Sequence, residues 1–335
     1  MGRDMLVDGE WRTDVEPHTD EDGAFDRVTT SFRDWIAGTR RSADDVVADG
    51  PAPEADRYHL YVARNCPWAH GAALARRLAG LTDVVTMDVV DPVREDEGWE
   101  FTPTKDGCTA DTVNGTDYLR DVYVAADPSF TGRVTVPVLW DRERETTVNN
   151  ESIEIMRMFA TAFEALGEGG TDLYPEGYRD EVDRVIEDIY DSINNGVYRA
   201  GFASSQAAYD DAVSDLFAAL DHWDDVLADQ RYLAGDRLTL ADVRAFPTLL
   251  RFDPCYHTAF NCDRQYLHQY EHLWPYLRDL YQTPGFAATV NMTHIRDQGY
   301  FQGRITPIGP DLDFGAPHDR DRLPGEAPTL DAASD

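Results

Sequence analysis

The hydropathy pattern changes its period once, near residue 176, and that switch restricts the fold more than any other feature. Before it, short β-branched runs alternate with helical stretches. The run Tyr58-His59-Leu60-Tyr61-Val62 predicts a strand over 58–63, followed by a helix over 67–79 and a strand over 83–90. Later come a strand over 134–140, a short strand at 146–149 and a helix from Glu151. Beyond 176 the strand signals stop. Val182, Val185, Ile186, Ile189, Tyr190, Ile193 and Val197 fall at helical spacing, as do Ala212, Val213, Leu216, Phe217, Leu220, Trp223 and Leu227. Thr239-Leu240-Ala241-Asp242 reads as a capping box opening another helix, and Leu273, Tyr276, Leu277 and Leu280 mark a further one. A helix between the first two strands allows them to pair in parallel, so the plan is an α/β thioredoxin-like N-terminal domain plus an all-α C-terminal domain.

Around this frame, residues 1–50 read as a polar arm lying over the surface, with one apolar cluster at Phe32, Trp35 and Ile36. The thioredoxin-like part is expected over 51–170, with a long polar insertion at about 91–130. The helical part is expected over 171–310, and 311–335, rich in Pro, Gly and Asp, as an acidic flexible tail. No internal repeat is found.

Charge excludes whole classes of partner. Sixty-three acidic against 30 basic residues give a formal net charge of −33, and Lys105 is the single lysine. Such a field repels nucleic acid and anionic membrane. At about 1 M salt the screening length falls to roughly 3 Å and the self-repulsion largely vanishes. The charge therefore reads as adaptation to a salt-rich, halophilic cytoplasm. No run of 18 apolar residues offers a membrane span, and the stretch from Met1 to Asp8 has no apolar signal region, so a soluble cytoplasmic protein is expected.

Four cysteines in 335 residues do not make a disulfide framework. Cys66 stands apart because it precedes Pro67 where a strand gives way to a helix. Proline suits the first helical position, which leaves Cys66 at the cap with free backbone N–H groups facing its sulfur. That placement favours a thiolate and predicts a thiol pKa below the unperturbed value of about 8.5. The alternative is an inert cysteine buried at a strand end. A dithiol redox site would carry a second cysteine at position 69, where the chain has Ala69. Cys66 is thus read as a monothiol nucleophile whose mixed disulfide needs a thiol from solution to resolve it.

Two neighbouring patterns suggest what that thiol is. Pro137 interrupts a good strand, and a cis Val136–Pro137 bond would turn the Val136 backbone toward a bound peptide; an ordinary trans proline on an edge strand is the alternative. Glu151-Ser152 opens a helix, where the helix end suits a carboxylate and the Glu151 side chain an ammonium group. A γ-glutamyl head carries both groups on one carbon, although acid plus Ser is also ordinary capping. Cys255, Cys262, His257, His268 and His272 offer zinc-type ligands but lack the short Cys-x2–4-Cys knuckle, so packing is the expected role. Without a phosphate loop or a Rossmann glycine pattern, no metal, flavin or nicotinamide is implied.

Cys66-Pro67-Trp68-Ala69-His70, Gly132-Arg133-Val134-Thr135-Val136-Pro137, Val148-Asn149-Asn150-Glu151-Ser152, Asn194-Asn195-Gly196-Val197-Tyr198 and Leu250-Arg251-Phe252-Asp253-Pro254 together resemble the glutathionyl-hydroquinone reductases, the Xi class of glutathione transferases. The resemblance runs from about Phe25 to Pro310. It implies the glutathione-transferase architecture, a homodimer, and reduction of glutathionyl-hydroquinones with Cys66 as nucleophile. It further implies thiol contacts at Trp99, Arg133, Val136, Glu151 and Ser152, and tyrosines beside the aromatic substrate at Tyr198 and Tyr300. Asn65 and Gly71 depart from the family's usual neighbours, and Gln298-Gly299-Tyr300 stands where the family has His-Tyr-Tyr. Tyr198 has separate support: on an unbroken helix it would point well away from the Val182–Val197 stripe, toward a cleft.

The expected partners are therefore a small-molecule thiol, glutathione or γ-glutamylcysteine, and an aromatic hydroquinone conjugate. An omega-like thiol transferase or dehydroascorbate reductase is the enzymatic alternative. A non-catalytic module of transferase fold is the other, and an intact Cys66 with Glu151-Ser152 counts against it.

Overall fold

The computed structural model describes residues 4–14, 20, 22–25, 27, 29–300, 310, 312–325, 327 and 328, with backbone only for 297–300. β3 (Tyr58–Val62) is buried at all five positions and runs through the middle of a four-stranded sheet of order β4-β3-β5-β6. A buried run without alternation, apolar but for His59, which meets Thr86 Oγ1 at 2.6 Å, is what a strand covered on both faces requires. α1 (Pro67–Leu78) carries the chain over to β4 (Thr86–Val89), which pairs in parallel with β3 through Leu60 and Met87. β5 (Val138–Asp141) lies antiparallel on the other side of β3, Leu60 opposite Leu139, and β6 (Thr146–Asn149) forms the edge. α3 (Ser152–Arg157) follows directly and packs on α1, so closely that a Cβ at Gly71 would stand 3.1 Å from the Met156 sulfur.

Three local expectations need correction. The strand expected from Val134 begins only at Val138, after a cis Val136–Pro137 peptide, because Pro137 has no N–H to give a neighbouring strand. The strand expected from Asp83 starts at Thr86, since Val84 and Val85 N–H groups turn back to the Leu81 carbonyl. The region read as a polar insertion holds a helix, α2 (Leu119–Ala126), which buries Leu119, Val122 and Tyr123 at positions i, i+3 and i+4. The Tyr123 hydroxyl donates to the Thr135 carbonyl at 2.8 Å and accepts from Asn150 at 3.1 Å, tying the turn before β5 to the start of α3.

The N-terminal arm forms a two-stranded sheet of its own and joins the rest through isolated bridges. β1 (Met5–Val7) and β2 (Glu10–Arg12) form a hairpin whose Leu6 bridges Gly132. Asp34 N–H donates to the Val148 carbonyl at 3.0 Å and Arg33 bridges Asn149, so the arm covers the open edge of β6.

α4 (Arg179–Ile189) opens the helical part, and a π-helical turn at Tyr190–Asn194 separates it from α5 (Gly196–Gly201). The stripe from Val182 to Val197 is therefore broken, and the extra residue in that turn helps aim Tyr198. α6 (Gln206–Val226) and α7 (Leu240–Arg251) form the core, the latter buried along its whole length and packed on α1. The capping box reads as expected: the Asp242 carboxylate accepts from Thr239 N–H at 2.8 Å, and also from Tyr276 O–H at 2.7 Å. α8 (His257–Ala259) and α9 (Leu273–Gln282) complete the bundle. Within the stretch read as a flexible tail, Arg320 is buried and donates to the carbonyls of Leu227, Gln230 and Arg231. No described helix is long and apolar enough to cross a membrane.

Candidate active site

Cys66 caps α1 in an extended conformation, its N–H donating to the Ala63 carbonyl at 3.1 Å and its carbonyl accepting from His70 N–H at 3.0 Å. The sulfur lies 3.7 Å from the Val136 carbonyl, beside the cis proline. The loop holding it is clamped from α7. Arg251, fully buried, donates to the Arg64 carbonyl at 2.8 Å and the Asn65 carbonyl at 3.1 Å, the last two residues before Cys66. The same guanidinium meets His70 Nδ1 at 3.1 Å. Arginine only donates, so Nδ1 accepts and the His70 proton sits on Nε2, facing Thr289 Oγ1 at 2.8 Å. Burial, then the neighbouring Arg251 and Arg64 cations, push His70 well below its ordinary 6.5 and keep it neutral.

The thiol itself differs from the sequence expectation. Burial pushes Cys66 up from its ordinary value, although the Ala69 and Trp68 amides and the Arg251 and Arg27 cations pull it back. Cap amides were expected to win. They do not, because the cap lies at the bottom of a pocket and loses more hydration than two N–H groups replace.

That pocket is a cavity of about 420 Å³ between the sheet unit and the helices. It brings together Cys66, Trp99, Val136, Glu151, Ser152 and Tyr198 from five separate segments. Glu151 is anchored by its own N–H, which donates to Asn149 Oδ1 at 2.7 Å, and its carboxylate accepts from Thr30 Oγ1 at 3.3 Å. Ser152 Oγ accepts from Arg244 Nη1 at 2.8 Å. Arg244 is buried, and burial pushes its guanidinium down to about 10. Opposite this polar end stands an aromatic wall. The Tyr198 ring centre lies 5.3 Å from Phe260, 5.8 Å from Trp68 and 6.0 Å from Phe202. The lining thus joins a polar part at Glu151 and Ser152 to an aromatic part at Trp68, Tyr198 and Phe260, with the sulfur beside the Val136 carbonyl.

Arg133 is placed differently. It lines an adjoining cavity of about 130 Å³, which shares Arg27, Thr30, Thr135 and Asn150 with the main one. Tyr300 ends a π-helical segment, Thr293–Tyr300, and its side chain lies outside the described residues. The zinc-type residues are engaged elsewhere: His268 pairs with Asp253 at 2.8 Å, His257 stacks on Tyr266, and Cys255 and Cys262 are buried.

Several lining residues were not anticipated. Arg94 stacks over Trp99 at 5.0 Å and pairs with Asp4. Tyr190 lines the cavity from the π-helical turn, while Arg27 and Thr30 reach it from the N-terminal arm. Arginine is so common in this chain that residue type could not mark Arg27 or Arg94; only their neighbours do.

Residues 65–162 match the family model described as glutathione S-transferase, N-terminal domain, and residues 206–279 the one described as glutathione S-transferase, C-terminal domain. Glutathionyl-hydroquinone reductase YqjG of Escherichia coli is 44% identical over 330 residues, covering 95% of this chain and 98% of the relative. Its glutathione-bound structure superposes with a TM-score of 0.82 at 43% identity, covering 95% and 99% of the two chains. Glutathionyl-hydroquinone reductase PcpF of Sphingobium chlorophenolicum is 38% identical over 312 residues, covering 91% and 96%. The Xi class GST from Natrialba magadii superposes with a TM-score of 0.87 at 57% identity, covering 96% and 98%. With both domains matched and relatives aligned end to end, the chain belongs to the glutathione transferases, in the Xi class of glutathionyl-hydroquinone reductases.

Proposed function

We propose that this protein is a thiol-dependent reductase that cleaves the thioether of glutathionyl-hydroquinones, or of their γ-glutamylcysteinyl counterparts. The observation that carries the reading is the juxtaposition around Cys66 of a polar end at Glu151 and Ser152 and an aromatic wall at Tyr198 and Phe260. A conjugate of a γ-glutamyl thiol with an aromatic ring has that same bipolar shape. Glu151 and Ser152 hold the γ-glutamyl head, the Val136 backbone aligns the cysteinyl unit, and Trp99 and Arg133 serve the far end of the thiol.

The Cys66 thiolate attacks the thioether sulfur. A sulfur–sulfur bond forms, the carbon–sulfur bond breaks, and its electron pair passes into the ring, whose sulfur-bearing carbon gains a proton. The two sulfurs are oxidised to a mixed disulfide and the ring carbon is reduced. Tyr198, with Tyr300 in the same role, holds the phenolic oxygens and relays the proton. A second thiol then attacks the mixed disulfide, releases an oxidised thiol dimer and restores Cys66. Both glutathione and γ-glutamylcysteine present the same head to Glu151 and Ser152. In this reading the enzyme works as a homodimer in a salt-rich cytoplasm, without metal, flavin or nicotinamide.

The test compares turnover of a glutathionyl-hydroquinone with that of a simple glutathione mixed disulfide, both with glutathione as reductant. Efficient turnover of the conjugate supports the proposal. Activity on the mixed disulfide alone reassigns the protein as an omega-like thiol transferase, and activity on neither as a binding module.

A further inference from the structure

In a chain with twice as many acids as bases, a guanidinium beside the reaction centre should find a carboxylate. Arg27 does not. Among the described residues it forms no ion pair, and its one hydrogen bond runs from Nε to Asn195 Oδ1 at 2.8 Å. Its guanidinium instead lies over the rings of Trp68 at 4.6 Å, Tyr198 at 4.9 Å and Phe25 at 5.4 Å. Nη2 is buried and has no acceptor among the described residues. Leaving a buried donor unsatisfied is costly, so a site that keeps one needs a reason. The residue lines the cavity holding Cys66, at the meeting of the aromatic wall with the polar end.

We propose that Arg27 holds a ring oxygen of the aromatic substrate and carries its negative charge as the carbon–sulfur bond breaks, which makes the N-terminal arm a determinant of specificity. The inference rests on the hydroquinone reading above. The ring reacts as its keto tautomer, in which a phenolic proton has moved to the sulfur-bearing carbon. When Cys66 then takes the sulfur, the carbon–sulfur pair enters the π system, the ring becomes aromatic again and the negative charge is left on the ring oxygen as a phenolate. A planar fork fixed by stacking on Trp68 and Tyr198 meets that oxygen with a preorganised charge. An aliphatic disulfide expels a thiolate and has no such oxygen. Selectivity for hydroxylated aromatic conjugates over disulfides therefore follows from this one group. The other anionic oxygen that could meet Nη2 is a carboxylate of the thiol, and the two sources predict different kinetics.

The experiment measures kcat/KM for a glutathionyl-hydroquinone and for a glutathione mixed disulfide with 2-mercaptoethanol, in wild type, Arg27→Met and Arg27→Lys. The ratio of the two efficiencies should fall about 10²-fold in Arg27→Met, the scale for losing one preorganised donor. Arg27→Lys should recover part of it, by charge without the fork. A ratio unmoved in both variants overturns the proposal: parallel losses assign Arg27 to the thiol carboxylate, and no loss assigns it to packing. If Arg27→Met fails to fold, the ratio in Arg27→Lys decides alone, a several-fold fall supporting the role and an unmoved ratio refuting it. Wild-type protein active on the disulfide but not on the conjugate would instead refute the hydroquinone reading itself.

Discussion

Replacing Arg251 by Met tests whether the nucleophile loop is held from the helical unit. Met keeps most of the hydrocarbon stem and removes the guanidinium. The Arg64 carbonyl loses a donor at 2.8 Å and the Asn65 carbonyl one at 3.1 Å. The same change strands two buried acceptors, the Pro247 carbonyl at 2.8 Å and His70 Nδ1 at 3.1 Å, at about 1–3 kcal/mol each, which makes about 2–6 kcal/mol for that pair. Removing a buried cation returns part of its desolvation cost, so the net loss should lie at about 2–4 kcal/mol. The change also acts on the chemistry. Arg251 is the leading cation pulling the Cys66 thiol down against burial, so its loss must raise that pKa further. Below the pKa, each unit of increase removes tenfold of the thiolate. Urea unfolding and the pH dependence of Cys66 alkylation read the two effects separately. In wild type the alkylation inflection should already lie above about 8.5, the value of a free thiol. The variant should show a lower urea midpoint and a higher inflection. Arg251→Lys should restore some of the inflection, but one ammonium cannot span both carbonyls as the fork does. If midpoint and inflection both stay at wild-type values in Arg251→Met, the clamp has no energetic meaning and this reasoning fails.

Other outcomes follow from the same geometry. Cys66→Ala should abolish turnover while retaining thiol binding, and one equivalent of conjugate without free thiol should leave wild-type Cys66 as a mixed disulfide by mass spectrometry; an adduct on Cys108, Cys255 or Cys262 instead would refute the mechanism. Tyr198→Phe should lower turnover of the conjugate by about 10²-fold and affect disulfide exchange less, because only the carbon needs a proton. His70 is neutral in the fold with its pKa below 6.5, so the unfolded chain binds the extra proton first, and stability should fall as pH drops below 6.5. His70→Gln should flatten that part of the urea midpoint–pH curve, and an unaltered curve would count against the buried neutral imidazole. With a net charge of −33, the thermal midpoint should rise steadily from low salt to multimolar KCl, whereas a flat response would point to an acidic binding surface.

Much of this protein was legible without its structure, because much of it is decided locally. The β3 run, apolar but for His59, Pro67 at the first turn of α1 and the Thr239–Asp242 capping box each act within a few residues, so element types and the thioredoxin-like plus helical order could be read directly. The helix α2 was legible too, at Leu119, Val122 and Tyr123, but the charged residues around it hid the spacing. What no local pattern contains is the partner of a side chain. Arg27 and Arg251 look alike in the sequence; one has an Nη2 without an acceptor among the described residues, beside Trp68 and Tyr198, the other gives donors to two carbonyls of the nucleophile loop. Arg133 and Val136 are three residues apart, yet they line different cavities. The Cys66 thiol makes the division plain. The sequence places it at a helix cap, where amides lower a pKa. Partial burial at the foot of a cavity built from distant segments raises it, because the hydration lost there outweighs the two N–H groups the cap supplies.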